Sequence, residues 1–310
     1  MPKQEPKKSK LTTVSELFIL FGNILKFTVI AFFTLFILSA LGSALGEGLK
    51  QGNVAVIPIK GLIANGDIAF QSVADADDIV DLIEEAQESA DIKAILLDID
   101  SPGGTPVATD QIAHAVKKAN KTTIAVIGEA GASGAYWIAS AADKIYANRM
   151  SITGSIGVQA SRLEFGGLLA DYNVTYRRLV AGKYKDIGTN LREMTREEQD
   201  IYQKVLDDLH TEFISAVAEN RGLDAAHVRN LSTGLVFLGS EAKKLGLVDE
   251  LGGKDEALDY LSEMLNITAE PVSYEKPKTF FEELAGVTSN AFYNMGRGMT
   301  AQNAPVVSFT

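Results

Sequence analysis

Thr123-Ile124-Ala125-Val126-Ile127-Gly128-Glu129-Ala130-Gly131-Ala132-Ser133-Gly134-Ala135-Tyr136-Trp137-Ile138-Ala139 is an apolar strand-like run, a stretch of small residues, and the opening of a helix. Ser133 sits at the strand-to-helix junction with small neighbours on both sides. Small residues let a substrate backbone come close to its hydroxyl. A helix N-terminus beside it favours negative charge. The setting suits a nucleophilic serine.

The same strand-then-helix pattern recurs along the chain. Apolar strand-like runs fall at 54–59, 94–99, 123–127 and 144–147, with helix-like segments at 74–89, 109–119 and 135–142. Strands alternating with helices predict an α/β fold of right-handed βαβ units. Residues 175–180 are also strand-like. A long helix is expected to open at Thr195, with Glu198 completing a capping box, and to end before Gly222. Another is expected at 254–265.

A nucleophilic serine needs a base. The three histidines, His114, His210 and His227, lie in or near helix-like segments and read as surface or packing residues. The chain has no cysteine, which excludes thiol catalysis and disulfides. Lysine is the other candidate base, because a desolvated lysine loses its proton more easily. Lys183 and Lys185 both lie in the loop Val180-Ala181-Gly182-Lys183-Tyr184-Lys185-Asp186-Ile187-Gly188, and residue type alone does not separate them.

Residues 27–45 form an uncharged span of 19 residues, close to the 20 or so that cross a bilayer. Lys3, Lys7, Lys8, Lys10 and Lys26 precede it against Glu5 and Glu16. The positive-inside rule then predicts a cytoplasmic N-terminus and an extracytoplasmic remainder. The apolar stretch is longer than a cleavable signal's core, so an uncleaved anchor in the plasma membrane is expected. The net charge is −11 with lysines gathered at the N-terminus, which argues against nucleic acid as a partner. No phosphate-loop motif and no metal-ligand cluster is present, so neither a cofactor nor a metal is expected.

Five blocks in order carry a family resemblance: Leu97-Asp98-Ile99-Asp100-Ser101-Pro102-Gly103-Gly104; Ala132-Ser133-Gly134-Ala135-Tyr136-Trp137-Ile138-Ala139; Thr153-Gly154-Ser155-Ile156-Gly157-Val158; Gly182-Lys183-Tyr184-Lys185-Asp186; and Ala242 through Gly252. Together they resemble the signal peptide peptidase SppA family, or protease IV, of serine–lysine membrane proteases, in its single-length form. The resemblance runs from about residue 54 to about residue 260. It implies Ser133 as nucleophile, Lys185 as general base and Ser155 as the residue orienting the lysine, with Thr153 able to share that role. It implies oxyanion donors among Gly103, Gly104 and Gly134, each worth roughly 3 kcal/mol to an acyl transfer. Asp186 is expected to cap the loop or to pair with Lys183.

The resemblance further implies a crotonase- or Clp-protease-like fold of ββα repeats. It implies a homo-oligomeric ring, such as an octamer, and peptide substrates: cleaved signal peptides and other apolar unfolded segments. A lysine base predicts an alkaline activity optimum, since free lysine titrates near ~10.4. The expected organisation is a cytoplasmic segment at 1–26, the anchor at 27–45, a peptidase domain at 46–267 and a C-terminal extension at 268–310, in which the partial helical spacing of Phe280, Phe281, Leu284 and Val287 reads equally as an amphipathic helix or as a loosely ordered tail, with 301–310 extended. Two other readings are a catalytically silent membrane scaffold and a crotonase-type acyl-CoA enzyme. The acyl-CoA enzyme would share the glycine turn, but it normally lacks an anchor and uses carboxylates.

Overall fold

The computed structural model describes residues 10–46, 52–66 and 73–276. They divide into two units, and the larger is residues 51–275. The stretch around Phe280, read as an amphipathic helix or a loose tail, lies outside the described residues.

The smaller unit contains α1 (Lys10–Gly46). Its stretch Phe18–Ile37 is 20 residues long with a mean hydropathy of 2.0, and none of it is buried. That is long and apolar enough to cross a membrane. The helix begins well before residue 27 and runs through Gly22, Asn23 and Lys26.

In the larger unit the chain runs β1 (Val54–Ala64), β2 (Val73–Asp75), α2 (Ala76–Glu88), β3 (Ala94–Gly104), α3 (Pro106–Lys118), β4 (Thr122–Ala132) and α4 (Gly134–Ser140). It continues through β5 (Lys144–Ala147), β6 (Ile152–Gly154), α5 (Gly166–Asp171), α6 (Arg196–Arg221) and α7 (Ala225–Leu231). It ends with β7 (Val236–Leu238), α8 (Gly239–Lys244), β8 (Glu250–Leu251), α9 (Lys254–Leu265) and β9 (Pro271–Ser273).

The main sheet has the order β2-β1-β3-β4-β5-β8 and is parallel throughout. β9 joins the start of β1 in parallel, so the compact unit runs beyond residue 267. Past the end of β5, β6 takes up pairing with the last residues of β4, and β7 pairs antiparallel with β6.

The strand sequences explain the layering. Side chains alternate faces along a strand, and a parallel sheet covered on both sides has apolar residues at both parities. In β3, Ile95, Leu97 and Ile99 join one core with residues of α2, α3, α4 and α6. Ala94 and Leu96 face the other way and pack with Ala257 and Leu261 of α9. Each fully buried aliphatic side chain contributes about 2 kcal/mol. Asp98 is a buried acid, and it is held by Lys254 at 2.7 Å and Lys60 at 3.0 Å.

The long helix α6 has the expected boundaries. Thr195 accepts from the Glu198 N–H while the Glu198 carboxylate accepts from the Thr195 N–H, and Gly222 closes the helix with φ 61°. Residues 175–180, expected as a strand, form none in the described chain. A strand needs a neighbouring edge to bond, and the segment meets none among the described residues.

Candidate active site

β3 and β4 run in parallel and end side by side, so their carboxyl ends open onto a common cleft of about 400 Å³. Open α/β sheets bind ligands at this end. The cleft is lined by Leu62, by residues 102–106 with Thr109, by Ser133, Gly134 and Trp137, by residues 157–159, and by Leu209 and Phe213 of α6. Trp137 stacks on Phe213, with ring centroids 4.9 Å apart and planes at 17°. One wall is therefore broad and apolar.

Ser133 occupies the turn between β4 and α4 with φ 54° and ψ −125°, a conformation L-residues rarely adopt. Its N–H donates to the Gly154 carbonyl at 2.8 Å, and its carbonyl accepts from the Trp137 N–H at 3.0 Å. With both backbone groups bonded, the strained turn is fixed and the side chain is left at the cleft.

Three glycines meet around Ser133. A side chain on Gly134 would overlap the Thr109 hydroxyl and begin 3.2 Å from the Gly104 nitrogen. One on Gly103 would begin 2.8 Å from the Gly134 nitrogen and 2.9 Å from the Ser133 Cβ. The Gly103 N–H is already engaged, donating to the buried Ser101 hydroxyl at 3.1 Å. Thr109 was not singled out in the sequence. Among the described residues its buried hydroxyl has no hydrogen-bond partner, and it backs the Gly134 turn.

Thr153 and Ser155 do not line the cleft itself, but they flank Gly154, whose carbonyl bonds the Ser133 N–H. Thr153 is fully buried and its hydroxyl donates to the Gly131 carbonyl at 2.7 Å, which ties β6 to β4. Ser155 has φ 50° and donates to the Gly234 carbonyl at 3.2 Å. None of the three histidines lines the cleft. His114 borders a separate groove of about 820 Å³ between α2 and α3, and His227 bonds the Leu245 carbonyl.

Lys185 is exposed and does not line the cleft that Ser133 opens onto. Its neighbour Lys183 is paired with Glu197 at 2.7 Å, which raises the Lys183 pKa. Asp186 does not pair with Lys183. It is held by Arg178 at 2.6 Å and by Arg192 at 3.3 Å, and these hydrogen bonds, Arg178 first, keep its carboxyl far below the usual carboxylate range. Arg192 in turn grips Glu198 at the start of α6 with two bonds of 2.6 and 2.7 Å. Glu198 and the cleft residue Leu209 stand eleven positions apart on α6. That is about 17 Å of helix rise between the end of α6 that the brace holds and the part that lines the cleft.

A serine in a strained turn at the carboxyl edge of a parallel sheet, ringed by glycines, defines a serine-hydrolase type of site. The sequence comparisons agree and are more specific. The model of peptidase family S49 matches residues 115–268. A candidate protease of Methanocaldococcus jannaschii is 35% identical over 240 residues, 76% of each chain. A candidate signal peptide peptidase SppA of Enterococcus faecium is 30% identical over 244 residues, 76% of this chain and 71% of the relative. Protease 4 of Haemophilus influenzae is 31% identical over 216 residues, 69% of this chain but 35% of the longer relative. Among solved structures, a membrane-bound stomatin-specific protease with a substrate peptide superposes with a TM-score of 0.47 at 18% identity, covering 78% of this chain and 100% of that one. The chain belongs to peptidase family S49, the family of SppA and protease 4, and is a serine peptidase.

Proposed function

We propose that this chain is a membrane-anchored endopeptidase in which Ser133 is the nucleophile and Lys185 the general base. Neutral Lys185 takes the Ser133 proton as the oxygen attacks a peptide carbonyl. The tetrahedral oxyanion is held by backbone N–H groups of Gly104 and Gly134, since that of Gly103 is committed to Ser101. Protonated Lys185 gives its proton to the leaving amine. Water then attacks the acyl-enzyme, with Lys185 again as base, and frees the carboxylate and Ser133. Ser155 orients the lysine once the site is assembled.

The observation that carries this reading is the strained Ser133 turn at the edge of the cleft, with its own N–H bonded away. The apolar wall of Trp137, Phe213, Leu209 and Leu62 favours apolar, extended peptides, the chemistry of cleaved signal peptides. Phe18–Ile37 supplies the anchor, with the N-terminus cytoplasmic and the peptidase unit on the other side.

The site is completed by a second copy of the chain in a homo-oligomeric ring. Lys185 is exposed in one chain, and the segment that carries it also exposes Leu163, Leu168, Tyr172, Val174 and Leu179. Such a concentration of apolar surface marks an interface.

The test is hydrolysis of a quenched apolar peptide, with fluorophosphonate labelling, by the full chain in detergent. Wild type should cleave and label, and Ser133→Ala and Lys185→Ala should do neither efficiently. Co-assembling these two inactive variants should restore part of the activity, because one copy keeps its serine and the other its lysine. Absence of any cleavage or labelling by assembled wild type would favour the silent scaffold.

A further inference from the structure

The turn that carries Lys185 is tied down on both sides of that residue. Lys183 and Tyr184 both bond Glu197. Asp186 is held by Arg178 and Arg192, and the Arg178 guanidinium also donates to the Lys183 carbonyl at 2.6 Å. Backbone bonds from Lys185 N–H to the Gly182 carbonyl, and from Ile187 N–H to the Tyr184 carbonyl, close the turn itself. Among the described residues the Lys185 ammonium makes no hydrogen bond or ion pair.

The two sets of ties differ in strength. The Lys183–Glu197 pair is largely solvated, with side chains 66% and 56% exposed. Such pairs contribute little. Asp186 and Glu198 are 11% and 6% exposed and are gripped by guanidinium forks. Those are the strong, geometrically specific ion pairs. Arg178 spans both shoulders of the turn, and Arg192 bolts it to the capped start of α6 through Glu198. Two cations and two carboxylates cancel, so the brace fixes position without placing net charge beside Lys185.

We infer that Arg178 and Arg192, acting through Asp186, are positioning residues that present the Lys185 amine to Ser133. This rests on Lys185 being the base, as proposed above. A base displaced by about 1 Å can cost about 10²-fold in rate without weakening substrate binding. The brace therefore acts on kcat and leaves KM alone.

The experiment uses the full chain in detergent and compares wild type, Asp186→Asn, Arg178→Lys, Lys183→Ala and Lys185→Ala. It reads kcat, KM, the rate of Ser133 fluorophosphonate labelling, assembly size and thermal midpoint. Asp186→Asn and Arg178→Lys should lose about 10²-fold in kcat, with KM within about twofold and labelling slowed in parallel. Lys183→Ala should stay within about twofold of wild type. If correctly assembled Asp186→Asn and Arg178→Lys keep wild-type kcat while Lys185→Ala is dead, the brace is overturned and the base assignment stands. Were kcat lost only in proportion to lost assembly or folded protein, the role would be structural and the positioning idea would fall. If Lys185→Ala remains active, the base assignment fails and takes the brace with it.

Discussion

The Ser133 N–H and the Gly154 carbonyl, 2.8 Å apart, join the turn after β4 to the end of β6. The bond anchors a serine that would otherwise relax out of φ 54°, and it withdraws the Ser133 N–H from oxyanion binding. Gly134 is then the nearest following donor on this strand-to-helix turn.

Strain at Ser133 predicts a trade between stability and activity. A non-glycine residue held in such a region costs about 1–3 kcal/mol, and glycine is free of most of that cost. Ser133→Gly should therefore unfold at a higher temperature than Ser133→Ala, by the equivalent of about 1 kcal/mol, with both variants inactive. Thermal unfolding of the two side by side decides it. A glycine variant no more stable than the alanine one would mean that the turn is relaxed.

Gly104 should tolerate no side chain. A Cβ there would fall 2.5 Å from the Ile63 carbonyl carbon and closer still to its oxygen, so β3 would have to separate from β1. Gly104→Ala should lose about 2 kcal/mol of stability, and activity with it. Gly128→Ala is the control on the neighbouring strand, because its Cβ would meet nothing nearer than 3.5 Å. Denaturant midpoints of the two variants should differ clearly. Equal midpoints would show that the β1–β3 contact is looser than described.

Trp137 is the chain's only tryptophan, and it lines the cleft beside Ser133. Its fluorescence should report peptide binding directly. Titrating an apolar peptide into the full-length Ser133→Ala variant should shift the emission to shorter wavelength as water leaves the ring. A highly charged peptide of the same length should not shift it. An unchanged spectrum under saturating apolar peptide would remove Trp137 from the substrate wall.

Acid should loosen the Lys185 turn through Glu198. The fork from Arg192, followed by the Thr195 N–H, depresses the Glu198 carboxyl to about 2 from an ordinary 4.5. A group depressed on folding gives stability that is fully present above its unfolded value and is lost as pH falls through its folded value. The contribution is therefore intact above pH 4.5 and disappears toward pH 2. Glu198→Gln should lower the thermal midpoint at neutral pH, and its midpoint should fall less steeply than that of wild type between those limits. Parallel curves for the two proteins would show that Glu198 does not carry the coupling.

Much of this was legible in the residues themselves. The apolar runs of β3 and β4, the small residues around Ser133, the Thr195–Glu198 box and the stop at Gly222 are local patterns, and each element formed where its pattern lay. Residues 175–180 misled because their apolar, β-branched composition is strand-like while no partner edge meets them among the described residues. Asp186 was expected to cap the loop or to pair with Lys183, its neighbour in sequence. The planar fork of Arg178 matches the Asp186 carboxylate better, and the Arg192 Nε adds a single longer bond.

The sequence by itself determined the central strands β1, β3, β4 and β5 with the helices between them, the apolar helix near the N-terminus and the serine at a glycine-lined junction. Periodicity, capping and small-residue sterics act between near neighbours and need no partner from afar. Tertiary structure decided which glycine N–H is already engaged, that β9 closes onto β1, and that Lys185 stands apart from the cleft in a braced turn. Those outcomes depend on which donors and charges meet after distant segments pack, and spacing along a chain does not encode that distance.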